Sequence, residues 1–129
     1  MKKILFLVAI IVLFFLVKID QEFKPDNLPD LQMEARAKAS GNVVKEFTTD
    51  ACSIFPNKIK GIDITDICIE HDMAYWAGGT EEQRLLADKR LRREANSRVD
   101  HLGDVMYWLF RFTGNSKFPT PWKWGYGCE

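Results

Sequence analysis

Four side chains capable of chemistry follow one another at helical spacing in the middle of the chain. Cys68, His71, Asp72 and Tyr75 stand at positions i, i+3, i+4 and i+7, which places them on one face of an α-helix. An amphipathic helix ordinarily carries Leu or Ile at such positions. Burying a histidine, a carboxylate and a phenol costs free energy unless each finds a partner. The spacing therefore predicts a polar cluster that is partnered from elsewhere in the fold.

A second carboxylate is predicted to face this cluster. Asp88 stands between Leu85 and Leu91 at spacings of three, inside an apolar row of the following helix. One carboxylate could then orient the imidazole of His71, while the carboxylate of Asp72 is available to hold a hard cation. From the residues alone, a hydrolytic site and a structurally buried histidine remain alternatives.

Two predicted helices position these groups. The first covers residues 65–77 and ends at a pair of glycines, a helix stop signal. The second begins at Thr80, where Thr-Glu-Glu-Gln forms a capping box, and continues to about residue 98. Because the glycine pair alone separates them, we expect an antiparallel helical hairpin.

The rest of the chain predicts further helices. A third helical stretch is expected over residues 99–112, and a looser helical pattern over residues 31–47 is interrupted at Ser40-Gly41-Asn42. No run of residues predicts a long strand. The expected fold class is therefore all-α, with the helical hairpin as its core.

The chain has three cysteines, two of which flank the loop before the first helix of the hairpin. Pairing Cys52 with Cys68 would staple this loop to the helix and would stabilise the fold by roughly 3 kcal/mol. Cys128 would then be left free or would bridge to another chain. The alternative is that all three cysteines are reduced.

The chain begins with a short basic segment and an apolar run. Lys2 and Lys3 precede residues 4–17, fourteen residues without a polar side chain, which span about 21 Å as a helix and fall short of a hydrocarbon core of about 30 Å. We expect residues 1–18 to be a signal peptide or signal anchor. The protein would be exported to the periplasm or the extracellular space, or stay anchored to the inner membrane by residues 4–17. Residues 19–30, polar and with two prolines, would tether a domain over residues 31–129.

Charge limits the classes of partner. The chain carries 18 basic and 18 acidic residues, and without residues 1–18 it carries 15 basic and 18 acidic residues, so no nucleic-acid partner is expected. Contact with a membrane surface would have to depend on apolar and aromatic side chains. Five aromatic residues of the C-terminal part, residues 99–129, fill the core or form such a surface: Trp108, Phe110, Phe112, Trp122 and Trp124.

Residues 47–98 resemble a known family. The segment Asp66-Ile-Cys-Ile-Glu-His-Asp-Met-Ala-Tyr75 is similar to the Cys-x-x-His-Asp-x-x-Tyr core of secreted phospholipase A2 enzymes. The segment Asp50-Ala-Cys-Ser-Ile-Phe-Pro-Asn57 resembles the bacterial branch, in which it forms a calcium loop. Asp88 falls where that fold carries the aspartate that partners the histidine.

The resemblance implies calcium-dependent hydrolysis of the sn-2 acyl ester of a phospholipid. His71 would act as the general base on water, Asp88 would orient the imidazole, and Tyr75 would donate a hydrogen bond to Asp88.

The resemblance also implies a cation site and a disulfide. The carboxylates of Asp72 and Asp50 and the backbone carbonyl of Ala51 would hold Ca²⁺ in a metal-binding loop. Cys52 would pair with Cys68.

One feature of the loop favours a different function. Gly61 is the single glycine between Cys52 and Cys68, whereas animal enzymes of the family have a glycine-rich calcium loop. The alternative is a non-catalytic, membrane-tethered module that binds a lipid or a protein partner, with Cys128 as a candidate for an intermolecular disulfide.

Overall fold

The computed structural model describes residues 1–18, 25–52, 55–117 and 120–129, without the side chains of residues 12–18. The described residues are mostly helical, which confirms the all-α class. The helices are α1 (Lys2–Lys18), α2 (Leu28–Lys38), α3 (Thr65–Ala77), α4 (Glu81–Arg98) and α5 (Leu102–Thr113). Two short strands, β1 (Lys58–Ile59) and β2 (Ile62–Asp63), pair antiparallel in the loop before α3.

The helical hairpin forms as predicted. The N–H of Gln83 donates to Oγ1 of Thr80 at 3.1 Å, and the N–H of Thr80 donates to Oε1 of Gln83 at 2.8 Å, which completes the capping box of α4. Ion pairs join Glu70 to Arg90 and Asp66 to Arg98. Residue numbers therefore rise along α3 as they fall along α4, so the two helices run antiparallel.

The third helix begins later than predicted. α5 starts at Leu102 rather than near residue 99, because His101 adopts the left-handed conformation with φ of 63° and interrupts the helical run. α5 packs against α4 through a buried face that includes Met106 and Phe110. This contact brings the C-terminal end of α5 close to the polar residues of the hairpin.

A further helix begins inside the segment expected to be a tether. α2 starts at Leu28, with Pro29 in its first turn. Backbone N–H groups of the first turn have no acceptor within the helix, so a proline there costs no hydrogen bond. It ends at Lys38, next to the interruption predicted at residues 40–42. Residues 19–24 of the predicted tether lie outside the described residues.

The aromatic C-terminal part contributes to both the core and the surface. Phe110 and Trp124 are buried, whereas 60% of Trp108 and 78% of Phe112 are exposed. Phe110 and Trp124 therefore contribute to the core, whereas Trp108 and Phe112 point to solvent because α5 packs against α4 with one face. Contact of these exposed rings with a membrane surface stays a prediction.

The C-terminal tail lies across the end of α3. The N–H groups of Gly125 and Gly127 donate to the carbonyls of Tyr75 and Trp76 at 2.7 and 3.2 Å. A Cβ on Gly127 would stand 2.0 Å from Nε1 of Trp76, so this close approach requires glycine. The tail thereby brings Tyr126 toward the loop that precedes α3.

The apolar N-terminal helix exposes its side chains. Ile4, Leu5, Phe6 and Leu7 of α1 are each more than half exposed. Among the described helices, none combines the length and the hydropathy needed to span a bilayer. The assignment of residues 1–18 as a signal peptide or signal anchor stays a prediction.

Candidate active site

Asp88 is the centre of a buried polar cluster. Its carboxylate is 0% exposed. Oδ1 lies 2.8 Å from Nε2 of His71 and accepts a hydrogen bond from the Tyr75 hydroxyl at 2.7 Å. Oδ2 accepts from Nη1 of Arg111 at 2.9 Å and from the same Tyr75 hydroxyl at 3.0 Å. Three of the predicted site residues therefore contact one another across α3 and α4.

The cluster keeps Asp88 ionised and Tyr75 protonated. Burial raises the pKa of the Asp88 carboxyl, but hydrogen bonds from His71, Arg111 and Tyr75 outweigh it, so this pKa lies below its ordinary value. Burial, followed by the negative charge of Asp88, raises the pKa of the Tyr75 phenol far above its ordinary value. Tyr75 therefore serves as a permanent hydrogen-bond donor to a carboxylate.

The bond to Asp88 determines which nitrogen of His71 is available for chemistry. An ionised carboxylate has no proton to donate, so Nε2 of a neutral His71 must carry the hydrogen. Nδ1 then holds the lone pair and can accept a proton. The ring centroids of Tyr75 and Phe110 lie 4.5 and 4.6 Å from that of His71, and these contacts restrict rotation of the imidazole.

Two arginines complete the cluster, and neither is predicted from the sequence. Arg84 is 2% exposed, and its Nη2 donates to the carbonyls of Phe110 and Arg111 at 3.1 and 2.9 Å. The sequence predicts that Leu85 lies in the buried row beside Asp88, but Leu85 is only half-buried, and Arg84 is buried instead. The four-residue spacing from Arg84 to Asp88 is a signal that could have identified Arg84.

A disulfide holds the loop before α3. Cys52 and Cys68 are bonded, with their Cα atoms 5.0 Å apart, which confirms the predicted pairing. Ala51, just before this bond, has a φ of 60°, a conformation that a non-glycine residue adopts only when its surroundings impose it. Cys128 is a half-buried free thiol within this chain.

Hydrogen bonds connect the loop to α3. Oγ1 of Thr49 donates to Oδ2 of Asp72 at 2.8 Å and accepts from the N–H of Ala51 at 2.9 Å. The N–H of Cys52 donates to Oδ1 of Asn57 at 3.1 Å. Thr49 is not predicted from the sequence; it orients one oxygen of Asp72 and bonds to the loop backbone at Ala51.

A small cavity lies between His71 and Asp72. It has a volume of about 10 Å³, which is close to the volume that one water molecule needs. Ala51 also borders it, together with largely apolar side chains, namely Phe55, Leu91, Met106 and Phe110. Cys52 and Cys68 line it as well. Three of the predicted residues, His71, Asp72 and Ala51, could therefore surround a single water.

On the other side of Asp72, an open cavity of about 450 Å³ is lined by two carboxylates. Asp50 and Asp72 share it with Tyr126, whose pKa is raised by burial and then by the negative charges of these two carboxylates. None of the described lining residues carries a positive charge. The described residues that line it are Thr48, Thr49, Asp50, Asp72, Pro121, Trp122 and Tyr126.

This donor set fits a hard cation better than a soft one. Carboxylate and carbonyl oxygens are the ligands that Ca²⁺ prefers. Within the described part of the chain, no three His, Cys, Asp or Glu side chains are grouped so that they could hold a metal ion. A calcium ion at Asp50 and Asp72 would therefore need backbone oxygens, such as that of Ala51, and water as further ligands.

A third cavity, of about 300 Å³, borders His71 on the side where α3 and α4 form a groove. Its apolar lining comes from both helices, and charged side chains lie at its rim. The apolar residues are Ile67, Ala74, Leu86, Ala87 and Leu91, and the charged ones are Lys38, Glu70, Arg90 and Glu94. Apolar cavities of this size accommodate parts of small ligands.

The predicted residues thus form one continuous arrangement. His71 borders both the groove and the small cavity, and Asp72 borders both the small cavity and the open one. Ala51 and Asp50 lie on the loop side, while Asp88 and Tyr75 lie behind the imidazole.

No known protein family, no curated protein and no solved structure matches this chain.

Proposed function

We propose that this protein hydrolyses an acyl ester of a phospholipid, at the sn-2 position, with His71 as the general base and Ca²⁺ as its cofactor. The observation that carries the proposal is the position of His71. The imidazole is bonded to the buried carboxylate of Asp88 at 2.8 Å and borders the small cavity that it shares with Asp72. This is the arrangement that a base acting on one water requires.

In this reaction, His71 carries the proton of the attacking water to the departing alcohol. Nδ1 of His71 takes a proton from water as the water oxygen bonds to the carbonyl carbon of the ester. Asp88 stabilises the imidazolium that forms, as the aspartate of a catalytic triad does. When the tetrahedral intermediate collapses, the bond from carbon to the alcohol oxygen breaks. The alcohol oxygen takes the proton from His71, which releases a fatty acid and a lysophospholipid.

The calcium ion would be held by Asp50, Asp72 and the carbonyl of Ala51. When bound, it would supply positive charge opposite the negative charge that develops on the ester oxygen. The two carboxylates of the open cavity and the hydroxyl of Thr49, bonded to Asp72 at 2.8 Å, support this assignment.

The groove between α3 and α4 supports a lipid as the substrate. Its apolar side chains, among them Ala74, Leu86 and Leu91, could cover part of an acyl chain. Glu70 and Arg90 at the rim form an ion pair of 2.7 Å. An acyl chain in this groove would bring its ester toward His71.

The experiment measures fatty-acid release from mixed phospholipid and detergent micelles by the full chain, first with Ca²⁺ and then with excess chelator. We expect release that stops with chelator and is lost in His71→Ala. His101→Ala is the matched control, because His101 is exposed and precedes the first residue of α5, whereas Arg111 lies in the last turn of that helix. Full activity in His71→Ala, or equal release with chelator, would disprove the proposal.

A specific observation favours a second candidate, a lipid- or partner-binding module without turnover. His71 is only 6% exposed, and the small cavity beside it is too small for an ester. Such a module would bind the same micelles and release no fatty acid from a folded, disulfide-intact sample.

A further inference from the structure

Arg111 holds the side of Asp88 that faces away from the histidine. His71 and Tyr75 both reach Asp88 from α3. His71 lies at Oδ1, whereas the Tyr75 hydroxyl lies between the two oxygens, 2.7 Å from Oδ1 and 3.0 Å from Oδ2. Arg111 reaches it from α5, with Nη1 2.9 Å from Oδ2. Because the Tyr75 hydroxyl contacts both oxygens, it does not determine which of them faces His71. Among the described partners, the guanidinium of Arg111 bonds to Oδ2 alone, and this leaves Oδ1 for the imidazole.

We propose that Arg111 is a positioning residue of the active site, which holds Oδ1 of Asp88 on Nε2 of His71 and so maintains a single tautomer of the imidazole. The inference depends on the proposed function, because it assigns Arg111 a part in hydrolysis. Arg111 is a member of the aromatic stretch 107–112, and nothing in its spacing from His71 or Asp88 along the chain suggests this contact.

The backbone of Arg111 is itself held in place. The buried guanidinium of Arg84 donates to the carbonyls of Phe110 and Arg111, at the C-terminal end of α5, where a cation is favourable. A Cβ on Gly114, just beyond α5, would stand 2.4 Å from the ring of Tyr75, so this end of the helix lies closely against the cluster. Arg111 therefore extends toward Asp88 from a rigid base.

Charge supports the same role. Asp88 is fully buried, and a buried carboxylate needs a compensating charge that is present at every step of a reaction. His71 carries a positive charge only after it has taken a proton, whereas a guanidinium is always charged. Arg111, whose side chain is 23% exposed, is far less screened by water than a surface arginine.

The first test reads the tautomer directly and needs no activity. Nitrogen NMR of the full chain, labelled at histidine and at a pH at which the ring is neutral, should show hydrogen on Nε2 of His71. Arg111→Met should give a mixture of hydrogen on Nε2 and Nδ1, and Arg111→Lys should restore most of the single tautomer. Arg93→Met, at an exposed arginine of α4, is the matched control and should leave the spectrum unchanged.

The second test uses kinetics. We expect Arg111→Met to lower kcat by about tenfold to a hundredfold, the range for loss of a group that orients a site residue, with KM changed less than twofold. In an Asp88→Asn background the same substitution should have little further effect, because the two residues act as one unit. If Arg111→Met does not fold, Arg111→Gln and Arg111→Lys decide the question in the same two measurements.

The outcomes separate this inference from the proposed function. An unchanged tautomer in a folded Arg111→Met or Arg111→Gln variant would overturn the positioning role, whatever its kcat. A wild-type chain that shows the single tautomer but releases no fatty acid would contradict the proposed hydrolysis instead, and the loss of that tautomer on substitution would still place Arg111 in control of Asp88.

Discussion

Two aspartates of the site differ in their surroundings, and the difference separates their roles. Asp88 is 0% exposed and accepts hydrogen bonds from three side chains on α3 and α5. Asp72 is half-buried, contacts Thr49 and lines an open cavity with Asp50. A carboxylate enclosed by donors can orient a histidine, whereas one open to solvent beside a second carboxylate can bind a cation. The same residue type can thus serve two chemical purposes when burial and partners differ.

Replacing the enclosed carboxylate should have the largest effect. Asp88→Asn keeps the shape of the side chain but removes the charge that stabilises the imidazolium and selects its tautomer. We expect kcat for fatty-acid release to fall by about 10⁴-fold, as for loss of the aspartate in a catalytic triad. Circular dichroism should show that the helices persist. A folded variant that keeps more than a tenth of the wild-type rate would contradict the role of Asp88.

Removing the disulfide should loosen the loop that carries Asp50 while leaving the hairpin assembled. The double variant Cys52→Ser/Cys68→Ser should lose about 3 kcal/mol in the free energy of unfolding, because the unfolded chain regains the entropy of an open loop. Urea denaturation measures this loss. Cys128→Ser is the control, since Cys128 is a free thiol in this chain, and it should unfold at nearly the wild-type urea concentration.

Replacing the open carboxylate should affect the metal more than the fold. Asp72→Asn should weaken Ca²⁺ binding by at least about tenfold, because a hard cation prefers a charged oxygen ligand over an amide oxygen. Isothermal titration with Ca²⁺ measures the change. Asp66→Asn, at an exposed acid of the same helix that pairs with Arg98, should bind Ca²⁺ as the wild type does. Equal affinity in wild type and Asp72→Asn would remove Asp72 from the cation site.

The smallest expected effect is on how the free energy of unfolding depends on acidic pH, and it concerns the buried Asp88. The folded protein lowers the pKa of Asp88 below its unfolded value. This carboxylate therefore stabilises the fold above the unfolded pKa, and that contribution is lost as pH falls through the lower, folded pKa. Asp88→Asn cannot titrate at this position, so its free energy of unfolding should decline less steeply with acid than that of the wild type. Parallel urea titrations over this range would show the difference, and identical slopes would contradict it.

Local spacing explains why so much of the hairpin is predictable. The glycine pair and the capping box define the ends of α3 and α4 by interactions within a few residues. The period of 3.6 places His71 and Tyr75 on one face of α3, and Asp88 on α4 then comes opposite them in an antiparallel pair. The β-hairpin of β1 and β2 could not be predicted, because two-residue strands are too short to show alternation. Its turn depends on positive φ at Lys60 and Gly61, of 52° and 77°.

The contacts made by the later part of the chain could not be predicted in this way. Which face of α5 lies on α4 depends on how whole helices pack, and α5 exposes Trp108 and Phe112 while it buries Phe110. The orientation of α5 about its own axis brings Arg111 into contact with Asp88. The path of the C-terminal tail, determined by backbone hydrogen bonds to the end of α3, similarly decides that Tyr126 faces Asp72 and Asp50.

By itself, the sequence determined the helical class, the hairpin and the presence of a histidine, two aspartates and a tyrosine at spacings that bring them together. These features depend on interactions between residues close in the chain, which local periodicity and capping specify. Only the tertiary structure decided that Arg111 pairs with Asp88, that Arg84 holds the end of α5, and that the two aspartates differ in exposure. Those features arise from packing between distant segments, where shape and burial, rather than spacing along the chain, select the partners.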